Sequence, residues 1–207
     1  MSNVTVYVPC DSAAKSVGAD EVAAAISAAS ATVNVIRNGS RGLMWLEPMV
    51  EVVVGAQRIA YGPVTVGDVA SLFDADFLHG GAHRLRLGVT DELPYLKKQE
   101  RLTFARVGIT DPLSLADYAA HEGWAGLRAA IAMAPTDIVE AVVASGLRGR
   151  GGAAFPAGIK WRTAAGADAD QKYIVCNADE GDSGTFSDRM IMEGDPFVLL
   201  EGMAIAG

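Results

Sequence analysis

The sequence predicts an α/β fold in two successive units, a small front domain over residues 1–80 and the first part of a larger α/β domain over 113–207. Three observations predict it. Apolar residues alternate with period two and then recur at helical spacing through the front unit, glycines and prolines break the pattern between residues 81 and 112, and helical patterns return behind that break. Half of the 207 residues are apolar, enough to bury one good core or two small ones.

Taken in order, Val4, Val6 and Val8 alternate as a strand, and an alanine-rich helix follows from about Ala19 to Ser30, then a strand at Val33 to Arg37. A loop over Asn38 to Glu47 leads into a hairpin, Met49 to Val54 and Gln57 to Tyr61, with Gly55 near the turn;. Val66, Val69, Ala70, Phe73 and Phe77 then carry helical spacing;. That βαβββα order is the order of a thioredoxin-like domain. Gly80, Gly81, Gly88, Pro94 and Pro112 mark residues 81–112 as a linker and lead-in segment;. Behind it, helical patterns run over Ser114 to Met133 and Thr136 to Ser145, with a short helix around Ile159 to Ala165 and a buried strand at Tyr173 to Cys176. Asp195 and Pro196 occupy N-cap and first-turn places for a helix over Phe197 to Ala206;.

Composition excludes several function classes. With 17 Lys and Arg against 25 Asp and Glu, the formal charge is -8, which disfavours a grip on a phosphate backbone, so no nucleic-acid partner is expected. No apolar run approaches the ~20 residues of a membrane span, and Met1 to Cys10 lacks the basic start of a signal peptide. The expectation is a cytoplasmic protein without a membrane partner. Cys10 and Cys176 set no disulfide framework, Cys176 reads as a small core residue, and no metal ligand set is assigned.

Two clusters carry chemistry. Residues 145–161, SGLRGRGGAAFPAGIKW, combine five glycines with Arg148, Arg150, Lys160 and the aromatic Phe155. Glycines let backbone amides approach a phosphate closely, and the cations supply charge to it. Gly149, Gly151 and Ala154 satisfy G-x-G-x-x-G/A, but a Rossmann fingerprint follows a strand, whereas Asp137 to Ser145 has helical spacing. A surface loop with solvated arginines is the plain alternative. The second cluster, Tyr173 to Arg189, crowds Asn177, Asp179, Glu180 and Asp182 past the end of the expected strand, where open α/β sheets place ligands. Those groups suit the hydroxyls of a ribityl chain or ribose; an acidic turn is the alternative.

Together the clusters resemble the family of flavoprotein subunits found in respiratory complex I and in its relatives, the soluble hydrogenases and NAD-dependent formate dehydrogenases. The carrying elements are Gly149 to Gly158, Lys160 with Trp161, Asn177 to Glu180, Asp188 with Arg189, and Glu201 with Gly202. The resemblance implies FMN and NAD as cofactors, with hydride exchanged with NAD and single electrons with iron-sulfur clusters. It further implies that Gly149, Arg150, Gly151, Gly152, Lys160, Asn177, Asp179 and Glu180 line the flavin and that Phe155 stacks on the dinucleotide. Asp182 stands where many relatives carry glutamate, facing the incoming dinucleotide, and Thr163 replaces an aromatic. No residue is assigned a catalytic acid or base role. Relatives continue with the rest of the FMN fold, a ubiquitin-like domain and a helical domain binding [4Fe-4S], so the second domain is read as incomplete, with the cluster ligands outside this chain.

Members with a thioredoxin-like [2Fe-2S] domain carry C-x4-C and C-x3-C pairs. Here those places hold Cys10 with Lys15 and Ser40 with Met44; three of four thiolates are missing, and serine, methionine and lysine do not rebuild such a site. A front domain without its cluster resembles both the formate dehydrogenase branch and the larger diaphorase subunits of NAD-reducing hydrogenases, and the run NADEGDSGTFSDRM tips the resemblance to the formate dehydrogenase branch. That branch implies an oxidoreductase with alpha (molybdenum, iron-sulfur) and gamma ([2Fe-2S]) partner subunits, this chain alone being inactive. The alternatives are the diaphorase subunit of an NAD-reducing hydrogenase or an NADH dehydrogenase (quinone) flavoprotein, an ordinary NAD dehydrogenase using the glycine run, and a non-enzymatic thioredoxin-like docking module.

Overall fold

The computed structural model describes residues 4–207; the first three residues of the front unit lie outside it. The alternating start forms β1 (Val4–Pro9), with Val6 and Val8 wholly buried on one face. Asp11 then accepts from the amides of Ala13 and Ala14, both at 3.1 Å, and starts the short α1 (Ser12–Ser16), which the apolar spacing does not predict. Helix α2 (Ala19–Ala29) buries Val22, Ala23 and Ile26 and leads to β2 (Val33–Asn38), parallel to β1. The hairpin is β3 (Val50–Val54) and β4 (Gln57–Tyr61), turned at Gly55 with φ +62°. A 3-10 turn capped reciprocally by Thr65 and Asp68 precedes α3 (Val69–Asp74), so the helix expected over 66–77 is regular only in its middle;.

The sheet order is β2-β1-β3-β4-β5, with β1 parallel to β2 and antiparallel to β3. A parallel β-α-β unit joined to an antiparallel hairpin, with helix following, is the thioredoxin-like arrangement that the element order predicts. Val6, Val8, Val50, Val52, Ile26 and Leu72 fill its main core, and Phe77 packs edge-on against Tyr61 at 5.8 Å.

The expected linker is instead folded onto this sheet. It supplies β5 (Arg86–Val89), paired antiparallel to β4, and α4 (Pro94–Lys97). With Leu93 and Leu96 it covers the second sheet face over Leu43, Met49 and Ala60. That cover explains Glu51, which strand alternation points outward yet which is 1 % exposed. Its carboxylate receives the Arg41 guanidinium at 3.0 and 2.8 Å, and Arg58 lies 3.7 Å away. Arg58 in turn donates to the carbonyls of Gly108 and Ile109 at 3.1 and 2.7 Å and lies over the Tyr7 ring. Such a short strand as β5, with Gly88 inside it, leaves little period-two signal to read.

In the rear unit the single helix expected over Ser114 to Met133 is two, α5 (Leu115–Ala120) and α6 (Ala125–Ile131). The break is at Gly123, where any β-carbon would lie 2.2 Å from the Tyr118 ring, and Trp124 follows with φ +65°. Then come α7 (Pro135–Ala144), α8 (Ala157–Ala165), α9 (Ser187–Gly194) and α10 (Pro196–Ala206). Glu201 of α10 accepts from the amides of Trp124 and Leu127 at 2.8 and 2.9 Å and from the Tyr118 hydroxyl. It thereby caps α6 from another helix.

A close seam joins the two units. The β-carbon that Gly39 lacks would sit 2.7 Å from the Gly194 backbone. The Ser12 amide and hydroxyl donate to Glu193 at 3.0 and 3.1 Å, and Arg106 donates to Asp195 at 2.9 Å. Asp195 stands before the first turn of α10 as predicted, but its side chain answers Arg106 instead of capping the helix. No helix among the described residues is long and apolar enough to cross a membrane.

Candidate functional site

The glycine-rich loop connects two helices that pack on each other. Gly158, one residue into α8, lets that helix lie directly on α7: a β-carbon there would come within 2.6 Å of the Val143 amide. The loop closes on itself through Gly149 N to Phe155 O at 2.9 Å, Ala157 N to Leu147 O at 2.8 Å, and Arg148 to the carbonyl of Ala154 at 2.9 Å. Among the described residues the amides of Arg150, Gly151, Gly152 and Ala153 donate to no chain atom, and open space surrounds Gly151 and Gly152. The loop is thus a pinched neck carrying a tip of free amides ahead of a helix N-terminus. Phosphate oxygens fit this donor set, with Arg150 and Lys160 exposed to neutralise them;. Lys160 also stands 5.6 Å from the centre of the Phe155 ring, which is half exposed and free to stack on a ligand. As expected from the spacing of Asp137 to Ser145, the loop follows a helix and not a strand.

The acidic cluster lies on a loop that α9 anchors. Residues 171–178 form no strand, correcting the expected one at Tyr173 to Cys176; Tyr173 and Val175 are 76 % and 82 % exposed. A β-prone segment needs a neighbouring ladder for its amides and carbonyls, and no described strand lies beside this one;. Cys176 is exposed, not a core residue.

Asn177, Asp179 and Asp182 are not packed into a core; Asn177 accepts from the Asp179 amide at 3.2 Å, an Asx turn;. Glu180 is turned toward its own loop. With φ +51°, it accepts from the Arg189 amide at 2.6 Å and from the Thr185 hydroxyl at 3.2 Å, while its own amide donates to Asp188 at 3.1 Å. The Arg189 amide foremost, with the Thr185 hydroxyl, holds its carboxyl below the ordinary carboxylate range. Its side chain therefore clasps the loop to the start of α9, a role the motif does not reveal. Among the described residues no hydrogen bond or ion pair links the two clusters; each is organised within itself. A largely apolar cavity of the same unit, about 380 Å³ between α6, α7, α8 and α10, is lined by Leu127, Ile138, Trp161, Tyr173, Ile174 and Ile205.

In the front unit Asp11, Ser40, Glu47 and Met49 form a hydrogen-bonded knot. Ser40 donates to Glu47 at 2.5 Å and its amide donates to Asp11 at 2.8 Å, while Met49 N donates to the second Glu47 oxygen at 2.9 Å. Burial pushes the Glu47 carboxyl up to about 7 against those bonds. Lys15 is exposed, Met44 half buried, and burial raises the Cys10 thiol. No group of metal-binding side chains occurs among the described residues. Iron analysis and electron paramagnetic resonance on the anaerobically purified chain are expected to show no [2Fe-2S] centre, and a stoichiometric cluster would overturn this reading.

Both loops fall within a stretch that matches a known protein family. Residues 142–207 match the Nuo51 FMN-binding domain family. The chain is 54% identical over 111 residues to NADP-reducing hydrogenase subunit HndC of Solidesulfovibrio fructosivorans, covering 54% of this chain and 22% of that protein. It is 47% identical over 108 residues to the F 2 subunit of the NADH-quinone oxidoreductase of Rhizobium meliloti, covering 52% of this chain and 26% of that protein. A solved NAD+-reducing [NiFe]-hydrogenase covers 99% of this chain and 35% of its own, at 21% identity and TM-score 0.39. The chain spans about a quarter of the length of the curated relatives it matches. Its last third matches the Nuo51 FMN-binding domain family, and about half of the chain is similar to subunits of an NADP-reducing hydrogenase and an NADH-quinone oxidoreductase.

Proposed function

We propose that this chain corresponds to the front part of a cytoplasmic flavin- and NAD-binding oxidoreductase subunit that passes electrons between NAD and iron-sulfur clusters. The observation that carries it is the glycine-rich tip: four backbone amides with no partner among the described residues, two exposed cations and a half-exposed aromatic, all ahead of or within the start of α8. In this reading Gly149 to Gly152, Arg150 and Lys160 bind the flavin phosphate, while Asn177 and Asp179 accept from its hydroxyls. Phe155 and Asp182 meet the dinucleotide, and Glu180 acts by holding the loop. Bound FMN supplies the conversion between a two-electron hydride and single electrons; the chain's part is binding, orientation and charge.

Within this class, the run Asn177 to Met190 supports a formate dehydrogenase, with alpha and gamma partner subunits carrying molybdenum and iron-sulfur centres. The similarity to hydrogenase and NADH-quinone oxidoreductase subunits favours a diaphorase as the second reading. Molybdenum in the purified native complex supports the first and nickel the second.

The class itself is tested by the visible spectrum of the full-length protein. Flavin bands bleached by NADH are expected; a flavin-free protein that NADH leaves unchanged would refute the reading. The 207-residue chain alone is expected to hold little FMN and to turn over NADH poorly, because Tyr173 to Cys176, which must support the acidic loop, are unpaired and exposed. Flavin released per mole of purified chain checks this, and full occupancy would contradict it.

A further inference from the structure

The second face of the front sheet carries a polar cavity of about 300 Å³ lined by Arg41, Asp91, Leu96, Lys97, Gln99 and Arg101. Three cations around one cavity stand out in a chain of formal charge -8. Two are committed: Arg41 gives two bonds to Glu51, and Lys97 pairs with Glu92 at the surface. The remaining edge of Arg41 is 3.6 Å from Asp91, an ion pair beyond hydrogen-bond length whose carboxylate is 83 % exposed. Arg101 differs. Among the described residues it makes no ion pair or hydrogen bond, and its Nε is fully buried without a partner. Burial, and then the charge of Arg41, both press its guanidinium toward losing its proton. Guanidinium groups stay charged in proteins, so this arrangement stores an unsatisfied donor beside a like charge, and either defect is costly.

An oxyanion relieves both at once. It accepts from the orphaned Nε, bridges two guanidiniums that present forked donors to planar or tetrahedral oxygens, and cancels their repulsion. The volume reaches the lower end of small-molecule sites, larger than inorganic phosphate requires, and Leu96 gives it one apolar wall. We propose that this cavity binds the phosphoryl group of a small phosphorylated molecule, with Arg101 as the principal ligand and Arg41 as the second. Arg41 follows directly on Ser40, so the loop that stands in place of a cysteine pair forms one wall of the cavity. The inference concerns the front unit and does not depend on the flavin reading.

The test is calorimetric titration of the 207-residue chain with inorganic phosphate and with ribose 5-phosphate, in chloride buffers of matched ionic strength. Saturable binding of at least one, to a site that requires Arg101, is expected at millimolar affinity or tighter. Arg101→Gln should weaken it about 10-fold or more, the scale of one charge-assisted hydrogen bond, and Arg101→Lys should keep part of it by keeping the charge. Arg128→Gln, which removes an exposed cation of α6 outside the cavity, should leave it unchanged. Tighter binding of the ester identifies an organic phosphate as the occupant, equal binding the free ion. Absence of saturable binding, or saturable binding that Arg101→Gln spares, would overturn the proposal. Circular dichroism confirms the fold of each variant.

Discussion

Replacing Glu201 by alanine is expected to lower the unfolding free energy by about 3 kcal/mol, as for the loss of a buried hydrogen-bonding hub. Glu201 is 8 % exposed and its carboxylate answers three donors from one neighbouring segment: the Tyr118 hydroxyl and the amides of Trp124 and Leu127. Helix α6 has no side-chain cap of its own, so truncation strands two amides at its start as well as the phenol. Around them Tyr118 packs edge-on against Trp124 at 5.0 Å and at a tilt against Phe197 at 5.5 Å, which keeps water from replacing the lost acceptor. Burial pushes the Glu201 carboxyl up, but the Tyr118 hydroxyl and the amides together hold it below the ordinary range. Its folded value is thus depressed relative to the unfolded chain. The stabilisation is therefore complete above the unfolded value, near about pH 4.3, and is lost as pH falls through the lower folded value. Urea denaturation of parent and variant at about pH 7 should show the full difference, and at about pH 3 a smaller one. A difference below about 1 kcal/mol at neutral pH would show that solvent or a rearranged α10 replaces the carboxylate.

What could be read from the residues divides along physical lines. The βαβ unit and hairpin were legible because Val4, Val6, Val8 and the stretch around Val50 to Tyr61 each face a core on one side, and burial on one side writes itself as period two or 3.6. Strand β5 was not legible: it is four residues with a glycine, and it is held by its ladder to β4, not by its own pattern. Glu51 shows the converse, a charge on a face that alternation marks as solvent but that residues 91–110 cover, so its burial depended on a distant segment. Tyr173 to Cys176 failed for the same reason in reverse. Their β-propensity is real, but a strand is a property of a pair, and among the described residues its pair is missing;.

The two loops proposed to hold the cofactor were more legible as chemistry than as geometry. Glycines with arginines suit a phosphate-binding backbone wherever the chain puts them, and the helical spacing before Gly146 already argued against a strand-to-helix turn;. The roles of Glu180, Asp188 and Arg189 were hidden, because a carboxylate that clasps its own loop and one that meets a ligand have the same residue type. Only the left-handed backbone at Glu180 and the direction of its bonds separate them. The Gly39 and Gly194 contact was equally silent, since it joins two glycines far apart in the chain through nothing but the absence of side chains.

That division of the acidic loop supports the second large expected effect. In the full-length protein, Asn177→Ala and Asp179→Ala should each weaken FMN binding by about 5- to 150-fold, the equivalent of about 1 to 3 kcal/mol per lost bond to a buried ligand group. Both side chains make at most one local contact, so in the flavin-free protein their loss should leave the melting temperature nearly unchanged. Glu180→Ala is expected to behave differently: its carboxylate receives the Arg189 amide and the Thr185 hydroxyl, so its removal frees the loop from α9 and lowers flavin content together with the protease resistance of residues 176–190. Phe155→Ala should raise the KM for NADH more than it lowers flavin content, because a half-exposed ring beside Lys160 is proposed to stack on the dinucleotide;. Flavin released per mole, steady-state kinetics and limited proteolysis on the four variants separate these outcomes. If Asn177→Ala and Asp179→Ala keep full flavin while Glu180→Ala alone loses it, the loop is a scaffold and the flavin hydroxyls are bound elsewhere. If all four keep flavin and NADH kinetics, both loops are surface turns, and the assignment of the cofactor to them fails.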